Sequence, residues 1–206
     1  MTGGLASGKS TVARLFGEHG MHVLSADMLA HELMMPGGVV YEEVVRVFGR
    51  DILAGGEGSA FDRAKLAAKA FDAHVPRIAE LNAIVHPAVL REQERWMEEI
   101  ADADPQGIAV VEAALLYEAG AESQFDKTVV VVAPEELRIE RYAARVTGDH
   151  GEELQAARAD AARRIAVQMP DAEKRRRADL VIENSGSLAE LAAAAEKVTL
   201  ELRGWL

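Results

Sequence analysis

Gly3-Gly4-Leu5-Ala6-Ser7-Gly8-Lys9-Ser10 satisfies G-x-x-x-x-G-K-[ST] at every fixed position. Glycines at these places let the backbone curl so that successive N–H groups converge on one anion. A helix must then begin just after Gly8, with its positive dipole end toward the same charge. Val12, Leu15 and Phe16 supply its apolar stripe at helical spacing. In such a loop the lysine reaches the β and γ phosphates of ATP, and the final hydroxyl ligates magnesium. Gly4, Leu5, Ala6, Ser7, Gly8, Lys9, Ser10 and Thr11 are therefore candidate nucleotide-binding residues. Lys9 is also a catalytic candidate and Ser10 a metal ligand. One feature of the pattern is missing. A phosphate loop follows a buried strand, yet only Met1 and Thr2 precede Gly3. The chain as given is expected to start about one strand short.

Working outward, Gly20 is placed to end the first helix in the left-handed conformation. Residues 21–24 read as a short buried strand with Asp27 just beyond it. Pro36-Gly37-Gly38 breaks the chain. Residues 39–101 are mostly helical in pattern, with Asp62 as a helix cap, His86-Pro87 as a junction and a separate helix over 88–100. Residues 108–112 and 127–132 are apolar without alternation, as strands buried on both faces are. Pro134 opens a helix to about residue 146. A charged helix to residue 167, a strand over 180–183 and an amphipathic helix over 187–202 complete the order. Strands separated by helices predict a doubly wound α/β fold with a parallel sheet. Ligands of such sheets bind outside the carboxyl ends of the strands.

The bulk properties narrow the function. The 206 residues, 49% of them hydrophobic, suffice for one α/β unit with appendages. There is no cysteine, which excludes disulfides and thiolate chemistry and fits a reducing cytoplasm. No apolar run suits a membrane helix, and the N-terminus has no signal-peptide pattern. With 34 acidic residues against 23 Lys and Arg, the net charge is −11. Nucleic acid is thereby a poor partner, while a small anionic substrate needs only locally gathered cations.

Single residues carry the remaining chemistry, each with a plainer reading beside it. Asp27, at a strand's carboxyl end, can accept the proton of an attacking hydroxyl, or cap a helix. Glu112 ends an apolar strand, where an acid can hold a magnesium-bound water, or be an ordinary polar strand end. Arg141 and Arg145 lie one helical turn apart and can clamp phosphate, or form surface salt bridges. Arg164 shares that choice. His86 can touch substrate or sit at the helix junction. Asn184-Ser185-Gly186 can line an adenine pocket or form a plain turn. Lys174-Arg175-Arg176-Arg177 reads as a solvated helix face, and the other histidines show no metal spacing.

Taken in order, these landmarks resemble the dephospho-coenzyme A kinase family. They are Thr2 through Thr11, Ala26-Asp27, His86-Pro87, Leu115-Leu116-Tyr117-Glu118, Arg141 with Arg145, Gln168-Met169-Pro170, Ala178-Asp179, and Asn184 with Gly186-Ser187. The resemblance covers nearly the whole chain and implies a P-loop NTPase fold, three-layer α/β/α, with a helical insertion and a lid. It implies a nucleotide core at 1–28, 105–134 and 178–206, a coenzyme A-binding insertion at 29–104, and a lid at 135–177. The implied reaction moves the γ-phosphoryl of ATP, with Mg2+, to the ribose 3′-hydroxyl of dephospho-coenzyme A, in a cytoplasmic monomer or small homo-oligomer. Asp27, Lys9 and Arg141 become the implied catalytic residues, and Arg145, Asn184 and Gly186 join the nucleotide ligands. His86, Leu115 and Glu118 are implied on the substrate, and Ser10 with Glu112 on the metal. Three departures stand out. Ser25 occupies a place usually held by Asp, Glu112 and Ala114 replace an Asp and a Pro, and the stretch from Arg145 to Gln168 is lengthened. Two rivals stay open: another P-loop small-molecule kinase, and a non-catalytic nucleotide-binding module.

Overall fold

The structure, a computed structural model, describes residues 1–72, 74–148 and 151–205. They fall into two units, Met1–Leu24 with Gln106–Leu206, and Ser25–Pro105.

The first unit is built on short strands. Strands β1 (Thr2–Gly3), β4 (Val129–Val132) and β5 (Leu180–Glu183) run parallel, with β4 in the middle. Strand β2 (His22–Ser25) pairs with β3 (Ala109–Glu112). Met1 joins the two sets. Its nitrogen donates to Val111 O at 2.7 Å and its carbonyl accepts from Ala113 N at 3.0 Å. That slanted pair is the pattern of a parallel ladder, so the strand order is β2-β3-β1-β4-β5. Ahead of the glycine loop the structure has a strand of two buried residues, extended by the backbone of Met1.

The apolar runs behave as buried parallel strands do. All four valines of β4 are buried. Val129 and Val131 pack with Val12, Phe16, Leu191 and Val198 of helices α1 (Lys9–Glu18) and α9 (Leu188–Arg203). Val130 and Val132 point to the opposite face and are fully buried. Helices α6 (Glu135–Thr147), α7 (Gly151–Ala166) and α8 (Asp171–Arg177) complete this unit. Asp149 and His150, in the lengthened stretch, lie outside the described residues.

The second unit is helical: α2 (Ala26–Leu33), α3 (Tyr41–Phe48), α4 (Arg63–Ala70) and α5 (Ile78–Ala103). Its own core gathers Leu33, Val44, Phe48, Ile52, Leu66, Val85 and Val89. Asp62 caps α4 as expected, its Oδ1 accepting from Ala64 N and Lys65 N. The expected junction at His86-Pro87 does not exist. Helix α5 runs through Pro87, which lacks the N–H and costs a helix interior about 3 kcal/mol. Burial of Val85, Ala88 and Val89 on one face holds the helix together, while His86 and Pro87 lie on the exposed side.

Candidate active site

The glycine loop is formed in full. Gly8 takes φ 97° and leads into α1, and Ala6 takes φ 55°. Lys9 Nζ donates to Gly4 O at 3.2 Å, and Ser7 N donates to the same carbonyl at 3.2 Å. The loop tolerates no larger residues. A Cβ on Gly3 would stand 2.3 Å from Val131 O, and one on Gly8 2.1 Å from Asn184 Nδ2.

Three neighbours brace this loop. Asn184, buried at the end of β5, donates from Nδ2 to Ser7 O at 2.8 Å. Arg141 of α6 donates to Asn184 O at 3.0 Å and Asn184 Oδ1 at 3.3 Å. Leu5 N donates to Gln168 Oε1 at 2.9 Å. Arg138 was not singled out by sequence, yet it is 4% exposed and lies against Gly4, paired with Asp171 at 3.2 Å. Arg138 and Asp171 also line a recess of about 380 Å3 with Pro134, Glu183 and Ser185, at the carboxyl ends of β4 and β5.

Ser10 Oγ donates to Glu112 Oε1 at 3.0 Å, which puts the two expected metal ligands side by side. Both are hard oxygen donors of the kind magnesium takes, in the small number it draws from protein.

Other expected residues have structural work. Glu118 pairs with the fully buried Lys174 at 2.9 Å and accepts from Met169 N at 3.0 Å. Burial pushes the Glu118 carboxyl up, but the bonds from Lys174 and Met169 N outweigh it and hold the pKa below 4.5. The basic run is a solvated face at Arg175, Arg176 and Arg177, as expected, but not at Lys174. Lys174 is interior, Arg175 pairs with Glu183, and Arg177 lies over the Tyr117 ring at 4.8 Å and pairs with Glu122. Arg145 and Arg164 each lie 5.6 Å from the Tyr142 ring, and Arg164 also pairs with Asp160 at 2.8 Å. Leu115 is exposed. Gly186 precedes a capping box in which Ser187 and Glu190 bond reciprocally, and a Cβ there would strike the Glu190 carboxylate.

In the second unit Asp27 is exposed in the first turn of α2. It is not the cap. Ser25 is, its Oγ accepting from Met28 N at 3.4 Å. Asp27 instead lines a cavity of about 510 Å3, with Met34, Phe61, Leu66, Phe71 and Leu81 as apolar wall and His31 and Arg63 as polar members. His86 is not among its lining residues.

A profile of the family "Dephospho-CoA kinase" matches residues 1–190. The chain belongs to that family. A dephospho-CoA kinase of Corynebacterium diphtheriae is 45% identical over 187 residues, covering 91% of this chain and 88% of the relative. The crystal structure of TT1252 from Thermus thermophilus superposes with TM-score 0.77 at 37% identity, covering 98% of this chain and 95% of that one. Dephospho-CoA kinase from Campylobacter jejuni gives TM-score 0.65 at 27% identity, with the same coverage of each chain. This membership favours neither of the rivals left open by the sequence.

Proposed function

We propose that the protein transfers the γ-phosphoryl of ATP to the ribose 3′-hydroxyl of dephospho-coenzyme A, giving coenzyme A. The reading is carried by one combination: a fully formed phosphate loop in a chain whose first 190 residues match one kinase family.

Phosphoryl transfer asks the protein for position and charge rather than covalent chemistry. Lys9 exchanges its bond to Gly4 O for the β and γ phosphates. Amides of the loop from Ala6 to Thr11 receive the remaining charge. Asn184 and Arg141 act through the loop, holding its carbonyl edge still, and Arg145 adds positive charge on the same helix. Ser10 and Glu112 would hold Mg2+, which would supply charge neutralisation for the triphosphate. Asp27 orients the hydroxyl and takes its proton. The recess lined by Pro134 and Ser185 takes the adenine of ATP. No helix among the described residues is long and apolar enough to cross a membrane. We place the enzyme in the cytoplasm, as a monomer or small homo-oligomer.

The test is an acceptor panel with purified protein, ATP and Mg2+: dephospho-coenzyme A, shikimate, gluconate and nucleosides. Coenzyme A phosphorylated at the 3′ position, identified by mass and by nuclease P1 sensitivity, is the expected product. Transfer to a different acceptor alone, or ATP binding with no transfer at all, would defeat the reading.

A further inference from the structure

The geometry points to Arg63, assisted by His31, as the subsite for the 5′-diphosphate of the acceptor nucleotide, an assignment resting on the acceptor proposed above.

Arg63 opens α4, in the first turn, where the helix dipole disfavours a cation. Among the described residues no carboxylate pairs with it. Its partner is the His31 ring, with the guanidinium 2.9 Å from Nε2. The adjacent carboxylate, Asp62, is committed to Ala64 N, Lys65 N and Lys65 Nζ. Four other arginines of the same unit find acids, Arg46 with Glu43, Arg50 with Glu57, Arg77 with Glu80 and Arg95 with Glu92, while Arg91, exposed on α5, pairs with none among the described residues but lines no part of the cavity that Arg63 lines. In a chain with 34 acids against 23 Lys and Arg, an arginine set against a dipole and left without an acid is arranged for an anion from outside.

The surroundings define that anion. Arg63 and His31 line the 510 Å3 cavity together with Asp27. His31 stands four residues after Asp27 on α2, so the two share a face one turn apart. Beyond the two polar residues the wall is Met34, Met35, Phe61, Leu66, Phe71 and Leu81. A single acceptor satisfies all three zones. Its ribose hydroxyl lies at Asp27, a doubly charged linker one sugar away at His31 and Arg63, and a neutral remainder against the apolar wall. The low-dielectric wall strengthens the charge pairing.

Steady-state kinetics on the full chain decide this, with dephospho-coenzyme A and with an analogue whose diphosphate is replaced by an uncharged linker. Arg63→Ala should raise KM for dephospho-coenzyme A about 10- to 100-fold, the worth of charge-assisted hydrogen bonds. KM for ATP and the thermal midpoint should not move. Arg63→Lys should recover part of the loss, and His31→Ala should show a smaller one. On the uncharged analogue, Arg63→Ala and the parent chain should share one KM. An unchanged KM for dephospho-coenzyme A, or an equal loss on both acceptors, overturns the assignment while leaving the kinase reading intact. Should Arg63→Ala not fold, Arg63→Gln keeps the aliphatic stem and carries the same expectation. A parent chain that transfers nothing to dephospho-coenzyme A removes the proposed function, and this subsite with it.

Discussion

The anion sites proposed for the two units are built by different means. In the Met1–Leu24 and Gln106–Leu206 unit the anion site is backbone: a glycine loop whose N–H groups need no side chain to point them. Several cations around it are already neutralised, Arg138 by Asp171, Lys174 by Glu118 and Arg175 by Glu183. Among the described residues of the Ser25–Pro105 unit there is no glycine cradle. The cavity is lined by side chains from α2, α4, α5 and the loop before α4, and its arginine has no acid. A backbone site is encoded by consecutive residues, whereas a side-chain site exists only once helices pack. The first unit has spent much of its positive charge on stability, while the second holds an arginine in reserve.

Asp27 gives the sharpest way to break this division, because it puts the chemistry's only proposed base in the helical unit. Asp27→Asn should lower kcat by about 10²- to 10⁴-fold, the usual worth of a general base. Its carboxylate is exposed and makes no hydrogen bond among the described residues, so the thermal midpoint should stay put. A variant with parent kcat would leave the helical unit without catalytic work.

The next largest effect belongs to the other unit and is purely structural. Glu118→Gln leaves the fully buried Lys174 without its counter-charge, which should cost about 3–5 kcal/mol in denaturant unfolding. Replacing the pair together, as Glu118→Leu with Lys174→Met, should recover most of it, since an apolar pair needs no desolvation. The pH dependence follows from the sign of the shift. The folded-state pKa of Glu118 is depressed, so its stabilisation is present above the ordinary 4.5 and is lost as pH falls below that. Glu118→Gln should flatten that acid limb. Parent-like stability would mean that the cations of this unit are not spent as described.

How much of this was legible follows the same division. Residues 3–11 could be read one by one because the motif is local, and Ser10 beside Glu112 followed from where a strand must end. Val129–Val132 were read from their unbroken apolar run. Arg138, Asp171 and Gln168 could not be assigned to the loop, since they reach Gly4 and Leu5 only through tertiary packing. Lys174 read as solvated and Glu118 as a substrate contact, because partners 56 residues apart leave no local pattern. Pro87 was read as a break because local propensity says so, and core burial overrode it. Arg63 and His31 carried no sequence signal at all. Arg63 stands out only where the lack of an acid coincides with a place in the cavity lining beside His31.

A milder effect concerns the two-residue strand at the centre of the first unit. The α-amino group of Met1 is buried, and burial lowers its pKa from 8.0 to about 5 against the opposing pull of Glu112. A base whose folded pKa is depressed leaves the unfolded chain holding more protons between those values. Stability of a chain that begins with a free amine at Met1 should therefore rise as pH goes from about 5 to 8, and level off above. Apolar residues placed ahead of Met1 turn the amine into a peptide N–H that can keep its bond to Val111 O. That extension should erase the rise in pH-dependent unfolding. A rise of equal size in both chains would assign the pH dependence elsewhere.

Ser25 yields the smallest effect and bears on why a serine can stand where the family resemblance implies an aspartate. Capping needs only an oxygen, and Ser25 Oγ already accepts from Met28 N, although at 3.4 Å the bond is long. Ser25→Ala should thus cost about 0.5–1 kcal/mol, the low end for a lost cap. Ser25→Asp should keep the cap and add a charge that the N-terminus of α2 favours, worth a few tenths of a kcal/mol. The two substitutions separate capping from charge. If the missing carboxylate matters to the reaction, Ser25→Asp should tighten the Mg2+ dependence of kcat by a few-fold and leave KM for dephospho-coenzyme A alone, whereas Ser25→Ala should change stability only. Identical Mg2+ titrations for all three chains would show that position 25 serves the helix and nothing more, leaving Asp27 as the only acid that the start of α2 contributes to the chemistry.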